Sequence, residues 1–112
     1  MKKIEATIKP FKLDEVREAL LATGVESLTV SEVKVLGPHR GNAALYHGAE
    51  YVVDFISNVK LELIVTDALV STVVATIEWA ARTGRIGDGK IFVMPIEDAI
   101  RIRTGEHGVH AL

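Results

Sequence analysis

Apolar positions Ile4, Ala6 and Ile8 alternate with Glu5, Thr7 and Lys9, a period of two that predicts a strand with one buried face. Pro10 ends it, because proline has no N–H for a sheet ladder. From Lys12 to Thr23 the period becomes that of a helix, with Leu13, Val16, Leu20 and Leu21 on one stripe. Asp14 and Glu15 fall in its first turn, where negative charge complements the helix dipole, and Gly24 is a natural stop. Glu26 to Leu36 reads as a second strand, apolar on both faces through Leu28, Val30, Val33 and Val35. Gly37-Pro38 closes it, and 37–55 then carries no regular pattern. A loop this long in a small domain is commonly functional; the alternative is a floppy hairpin tip.

The second half repeats the order. Val59, Leu61, Leu63 and Val65 alternate with Lys60, Glu62 and Ile64 to give a third strand. Asp67 is the expected N-cap of a second helix, whose core stripe is Leu69, Val70, Val73, Val74, Ile77, Ala80 and Ala81. Trp79 falls off that stripe and is expected in buried packing or against another subunit. Gly84 is the expected end of the helix, and Lys90 to Met94 is the fourth strand. Glu97 to Arg103 follows as a short apolar-basic segment, and Thr104 to Leu112 as a polar tail expected to be mobile unless a ligand or partner orders it. Strand, helix, strand, taken twice, predicts an α+β fold: a ferredoxin-like double βαβ, with a four-stranded antiparallel sheet, two helices on one face and the long loop between strands 2 and 3. The other sheet face, with Val33, Val35 and Ile64 as apolar candidates, then needs cover, which points to self-association.

Composition narrows the class. A chain of 112 residues with 48% hydrophobic content forms one domain with a real core, small enough that oligomerisation adds much of the buried surface. It has no Cys, so disulfides and thiolate metal sites are excluded. A net charge of −2 gives no reason to expect nucleic-acid binding. The N-terminus lacks the apolar core of a signal peptide, and no apolar run approaches the roughly 20 residues of a membrane span, so a cytoplasmic protein without membrane insertion is expected.

The chemistry concentrates in 83–93, Thr-Gly-Arg-Ile-Gly-Asp-Gly-Lys-Ile-Phe-Val. Its glycines allow tight turning and leave backbone N–H groups uncovered, which makes a concave nest for an anion. Lys90 adds a positive charge, and Ile91-Phe92-Val93 anchors the loop as a strand. A phosphate cradle and a plain helix-to-strand connection both fit this spacing, which is not that of a P-loop. His39, His47, His107 and His110 show no helical i, i+4 pairing and read as loop histidines rather than a metal site. No nucleophile–base constellation appears, so an enzyme is not expected.

The cradle segment, Tyr46-His47-Gly48-Ala49-Glu50-Tyr51, Ile8-Lys9-Pro10-Phe11-Lys12-Leu13 and Ile100-Arg101-Ile102-Arg103-Thr104-Gly105 together resemble the PII signal-transduction family of nitrogen regulators, in register over essentially the whole chain. The resemblance implies a homotrimer with ATP or ADP in the clefts between subunits. It implies that 37–55 is the effector loop, docking on a transporter (an ammonium transporter, for example), an enzyme or a regulator. It carries phosphate binding to Gly87, Asp88, Gly89 and Lys90 in the loop 82–90. Arg101 and Arg103 match basic residues that reach the phosphates from the neighbouring subunit, and guanidinium forks suit phosphate oxygens. Gly37 matches a backbone contact, and Thr29, Glu62 and Ile64 match positions around adenine and ribose. Tyr51 matches a tyrosine that is uridylylated in many bacteria, or a loop aromatic that meets a partner. Without the resemblance, Arg101, Arg103 and Glu62 would read as exposed strand charges. The alternative function is a small nucleotide-hydrolysing enzyme using the same cleft.

Some positions depart from the family pattern. His39 stands where the family has a glutamine that helps hold Mg²⁺ and 2-oxoglutarate, and Asn58 where it has a lysine paired with a carboxylate of that ligand. A neutral amide makes a bond about half as strong as a charge-assisted one. The expectation is a divergent family member that keeps the ATP/ADP cleft and has a weak or absent 2-oxoglutarate response.

Overall fold

A computed structural model describes residues 1–36 and 55–112. Four strands, β1 (Lys2–Ile8), β2 (Thr29–Leu36), β3 (Phe55–Val65) and β4 (Lys90–Pro95), form one sheet in the order β2-β3-β1-β4 with every pairing antiparallel. Helices α1 (Leu13–Leu21) and α2 (Val70–Ala81) follow β1 and β3. This is the expected double βαβ.

The period-2 pattern sends Ile4, Ala6 and Ile8 of β1 and Val59, Leu61, Leu63 and Val65 of β3 into one buried layer. They meet Val16 and Leu20 of α1 and Val73, Ile77, Ala80 and Ala81 of α2. The helical period supplies that second layer. The two central strands carry the core, and among the described residues β2 and β4 lie at the edges.

Element ends differ from the sequence pattern where distant groups intervene. Asp67 does not cap a helix with its side chain; it opens a 3₁₀ turn, Asp67–Leu69, and its carboxylate takes the Met1 amino group at 2.9 Å and Lys2 Nζ at 3.4 Å. β3 begins at Phe55, four residues before the alternation does, because Phe55 pairs with Leu36 and Ile56 with Val35. Trp79, expected to pack, is 82% exposed.

The uncovered sheet face is not the apolar surface the sequence suggests. Glu5 lies directly opposite Glu62 across the β1–β3 pair, a like-charge arrangement that alone destabilises a sheet. Lys3 relieves it, with Nζ 2.8 Å from Glu62 and 3.7 Å from Glu5, and Lys60 adds a contact to Glu62 at 3.5 Å. The Lys3 hydrogen bond holds the Glu62 carboxyl below its ordinary pKa. Apolar side chains flank this charged centre: Ile56 and Val35 toward one end, Phe92 toward β4.

Candidate functional site

The loop after α2 is built around one carboxylate. Asp88 accepts hydrogen bonds from the Thr83 N–H at 2.8 Å and the Gly84 N–H at 2.9 Å, and from the Thr83 hydroxyl. Lys9, at the end of β1, places Nζ 3.2 Å from Asp88 and 3.0 Å from Thr83 Oγ1. The Arg85 N–H also donates to Thr83 Oγ1, at 3.2 Å. These bonds pull the chain out of the helix at Arg82, which is extended, so α2 ends before the Gly84 stop. They also use the N–H groups of Thr83, Gly84 and Arg85, so an anion held by this backbone has residues 86–89 to meet. Gly87 and Gly89 both have left-handed φ, +95° and +97°. A Cβ on Gly89 would lie 1.7 Å from the Thr7 carbonyl oxygen, so the loop lies flat on β1 only because residue 89 has no side chain.

The Asp88 side chain thus shapes the loop rather than facing out of it. The Thr83 hydroxyl, then the two amides and Lys9, hold its carboxyl far below the ordinary value of 3.8. A carboxylate so saturated is a poor proton acceptor for catalysis. Because the folded-state pKa is depressed, the stability Asp88 contributes is fully present above the ordinary value and is lost as pH falls through the folded value. The Thr83 and Gly84 amide resonances are therefore expected to hold their positions in an acid titration as pH falls through the ordinary aspartate value of 3.8. Movement of both near pH 4 would mean that the staple is absent.

A second group of predicted residues lies elsewhere. Thr29 of β2 pairs with Glu62 of β3, and Ile64 sits two residues further on the same face. With Arg101 they line a cleft of about 780 Å³, which the C-terminal Ala111 and Leu112 also line. Arg103 does not line it; it is exposed in the turn at 102–104. Asp88, Gly89 and Lys90 instead border a separate hollow of about 400 Å³ between α2 and β4, beside Ile77 and Ala81. Thr29 and Lys90 start opposite edge strands, with β3 and β1 between them. One chain therefore holds the two groups of candidate residues apart and does not bring them together.

Asn58 is on the uncovered sheet face opposite Val33 and is only 9% exposed. Gly37, His39 and Tyr51 lie outside the described residues. The tail expected to be mobile is folded back onto Ala99 and Arg101 by backbone hydrogen bonds. Sequence reasoning missed Lys9 and Thr83 as loop-builders; Thr83 opens the cradle motif, but nothing local links it to Lys9. Among the described residues no cluster of three or more His, Asp or Glu could hold a metal ion, and no helix is long and apolar enough to cross a membrane.

A family model described as "Nitrogen regulatory protein P-II" matches residues 1–106. Proteins of that name from Rhodospirillum rubrum and Bradyrhizobium diazoefficiens are 62% and 60% identical to this chain over 112 residues, the full length of both partners in each case. A crystal structure of Arabidopsis thaliana PII bound to citrate is similar with a TM-score of 0.82 at 40% identity, covering 99% of this chain and 91% of that one. Identity near 60% from end to end overturns the expectation of a divergent sequence.

Proposed function

Because this chain belongs to the nitrogen regulatory protein P-II family, we propose that it takes ATP or ADP in clefts between the copies of a homotrimer and signals the state of those clefts to a target protein. The observation that supports this reading is the division of the site into halves on opposite sheet edges. One copy offers Lys90 and the backbone of Gly87, Asp88 and Gly89 to the phosphates. Its neighbour offers Thr29, Glu62 and Ile64 to the base and ribose, and Arg101 and Arg103 to the phosphates. Lysine and arginine together supply the charge-assisted bonds a polyphosphate needs. The internally bonded Asp88 leaves the loop without a free base, which favours a regulator over a nucleotide-hydrolysing enzyme. The family resemblance assigns target docking, on an ammonium transporter or another protein, to 37–55, and modification to Tyr51.

Citrate in the Arabidopsis relative is a small polycarboxylate. In this chain the residue matched to the carboxylate partner of 2-oxoglutarate is Asn58, a neutral and nearly buried amide. We read this, together with His39 in place of the glutamine that helps hold Mg²⁺ and 2-oxoglutarate in the resemblance, as a weakened 2-oxoglutarate response.

Mixing two crippled chains tests the divided site. Lys90→Met and Arg101→Ala each bind ATP weakly alone. Refolded together at equal amounts, random trimers regain about a quarter of their sites at full affinity, since that fraction joins the intact half of each chain. A site contained in one chain recovers nothing, because every chain in the mixture carries a lesion. Repeating the titration of the unsubstituted protein with 2-oxoglutarate present is expected to add no ATP affinity; a clear tightening would refute the role given to Asn58.

A further inference from the structure

Past Arg103 the chain doubles back on itself. The Gly105 N–H donates to the Arg101 carbonyl at 2.7 Å, the Arg101 N–H to the Glu106 carbonyl at 2.9 Å, and the Gly108 N–H to the Ala99 carbonyl at 2.9 Å. Ile100 and His107 form an antiparallel bridge. Asp98 clamps the base of this small hairpin: it accepts from the Gly108 N–H at 3.2 Å and the Ala99 N–H at 2.9 Å, and meets His107 Nδ1 at 3.0 Å. Beyond the clamp, Gly108–Ala111 makes a single 3₁₀ turn. That turn brings the chain back to where the hairpin began. Arg101 Nη2 donates to the main-chain oxygen of Leu112 at 2.7 Å, and Ala111 and Leu112 line the cleft that holds Thr29, Glu62 and Ile64.

We propose that residues 108–112 form an autoinhibitory strap, in which the Leu112 main-chain oxygen occupies the Arg101 guanidinium in place of a nucleotide phosphate. The inference rests on reading the cleft as a nucleotide half-site. A guanidinium presents a planar fork of donors, and a phosphate fills two of them where this oxygen takes one. The phosphate wins the exchange, but against a competitor tethered in the same chain and so present at high effective concentration. The strap is held lightly enough to leave: Val109 is 53% and Leu112 40% exposed, and the turn buries no residue. The Asp98 clamp, which bonds Gly108 and nothing beyond it, marks where the moving part begins.

The test compares ATP titrations by calorimetry of the full chain, of a chain ending at Gly108, and of full-length Asp98→Ala, which loosens the clamp without shortening the tail. Freeing Arg101 from one exposed charge-assisted bond is expected to tighten ATP binding about three- to tenfold in the shortened chain, with a smaller gain in Asp98→Ala. In parallel, ¹⁵N relaxation of the full chain follows the Ala111 and Leu112 amides, which gain nanosecond mobility when ATP is added. Equal or weaker binding by the shortened chain, or a tail that becomes more ordered with ATP, overturns the strap while leaving the nucleotide reading intact. Absence of ATP binding to all three chains overturns the nucleotide reading and the strap with it.

Discussion

Replacing Gly89 with alanine is expected to lower the urea midpoint sharply and to abolish measurable ATP binding. The added Cβ would overlap the Thr7 carbonyl oxygen at 1.7 Å and crowd its carbon at 2.8 Å, on a residue with φ +97°. Thr7 cannot step aside: it is paired with Lys60 of β3 on one side and Lys90 of β4 on the other. Left-handed strain and overpacking together cost roughly 2–5 kcal/mol. The loop can escape part of that by lifting off β1, but lifting breaks the Lys9 contacts to Asp88 and Thr83 and scatters the N–H groups that the proposed function assigns to phosphate. Stability and affinity therefore fall together. A variant with the unsubstituted urea midpoint and unchanged ATP affinity would show that the close approach to β1 has no role.

Leu61→Ala is expected to be comparably damaging for an unrelated reason. Leu61 is fully buried on a central strand, opposite Ala6 on one side and Val30 on the other. Its truncation leaves a cavity the paired backbones cannot close, at a cost of about 2–5 kcal/mol. That is a large share of the 5–15 kcal/mol typical of a domain. Trp79→Ala provides the contrast: at 82% exposure its loss should move folding stability by less than about 0.5 kcal/mol. Unfolding followed by circular dichroism at several protein concentrations separates both effects from any loss of subunit association. A Leu61→Ala protein within about 0.5 kcal/mol of the parent would mean that the core repacks around the gap.

The core was legible because its determinants are local. Ile4, Ala6 and Ile8, or Val73 and Ile77, announce their buried face by spacing alone. What was not legible is set by groups far apart in the chain. Arg82 leaves the helix because Asp88 draws in the Thr83 and Gly84 amides, and Lys9 joins them from 74 residues before Thr83. Phe55 and Ile56 are strand because Leu36 and Val35 pair with them, which no alternation reveals. The uncovered sheet face looked apolar when residues were taken one strand at a time; only the β1–β3 register sets Glu5 against Glu62 and puts Lys3 between them. The same limit held at the site. Motifs singled out both groups of residues, but not that they occupy opposite edges, nor that the tail returns to Arg101.

With Thr29 on one edge strand and Lys90 on the other, a ligand that needs both has no binding curve for a lone chain. Each nucleotide bound in this way is also a cross-link between two copies, and by mass action it strengthens their association by as much as association strengthens its own binding. Under the proposed function, a dose–response measured on dilute protein then shifts to higher nucleotide concentration, and the protein's abundance enters the signal alongside the nucleotide.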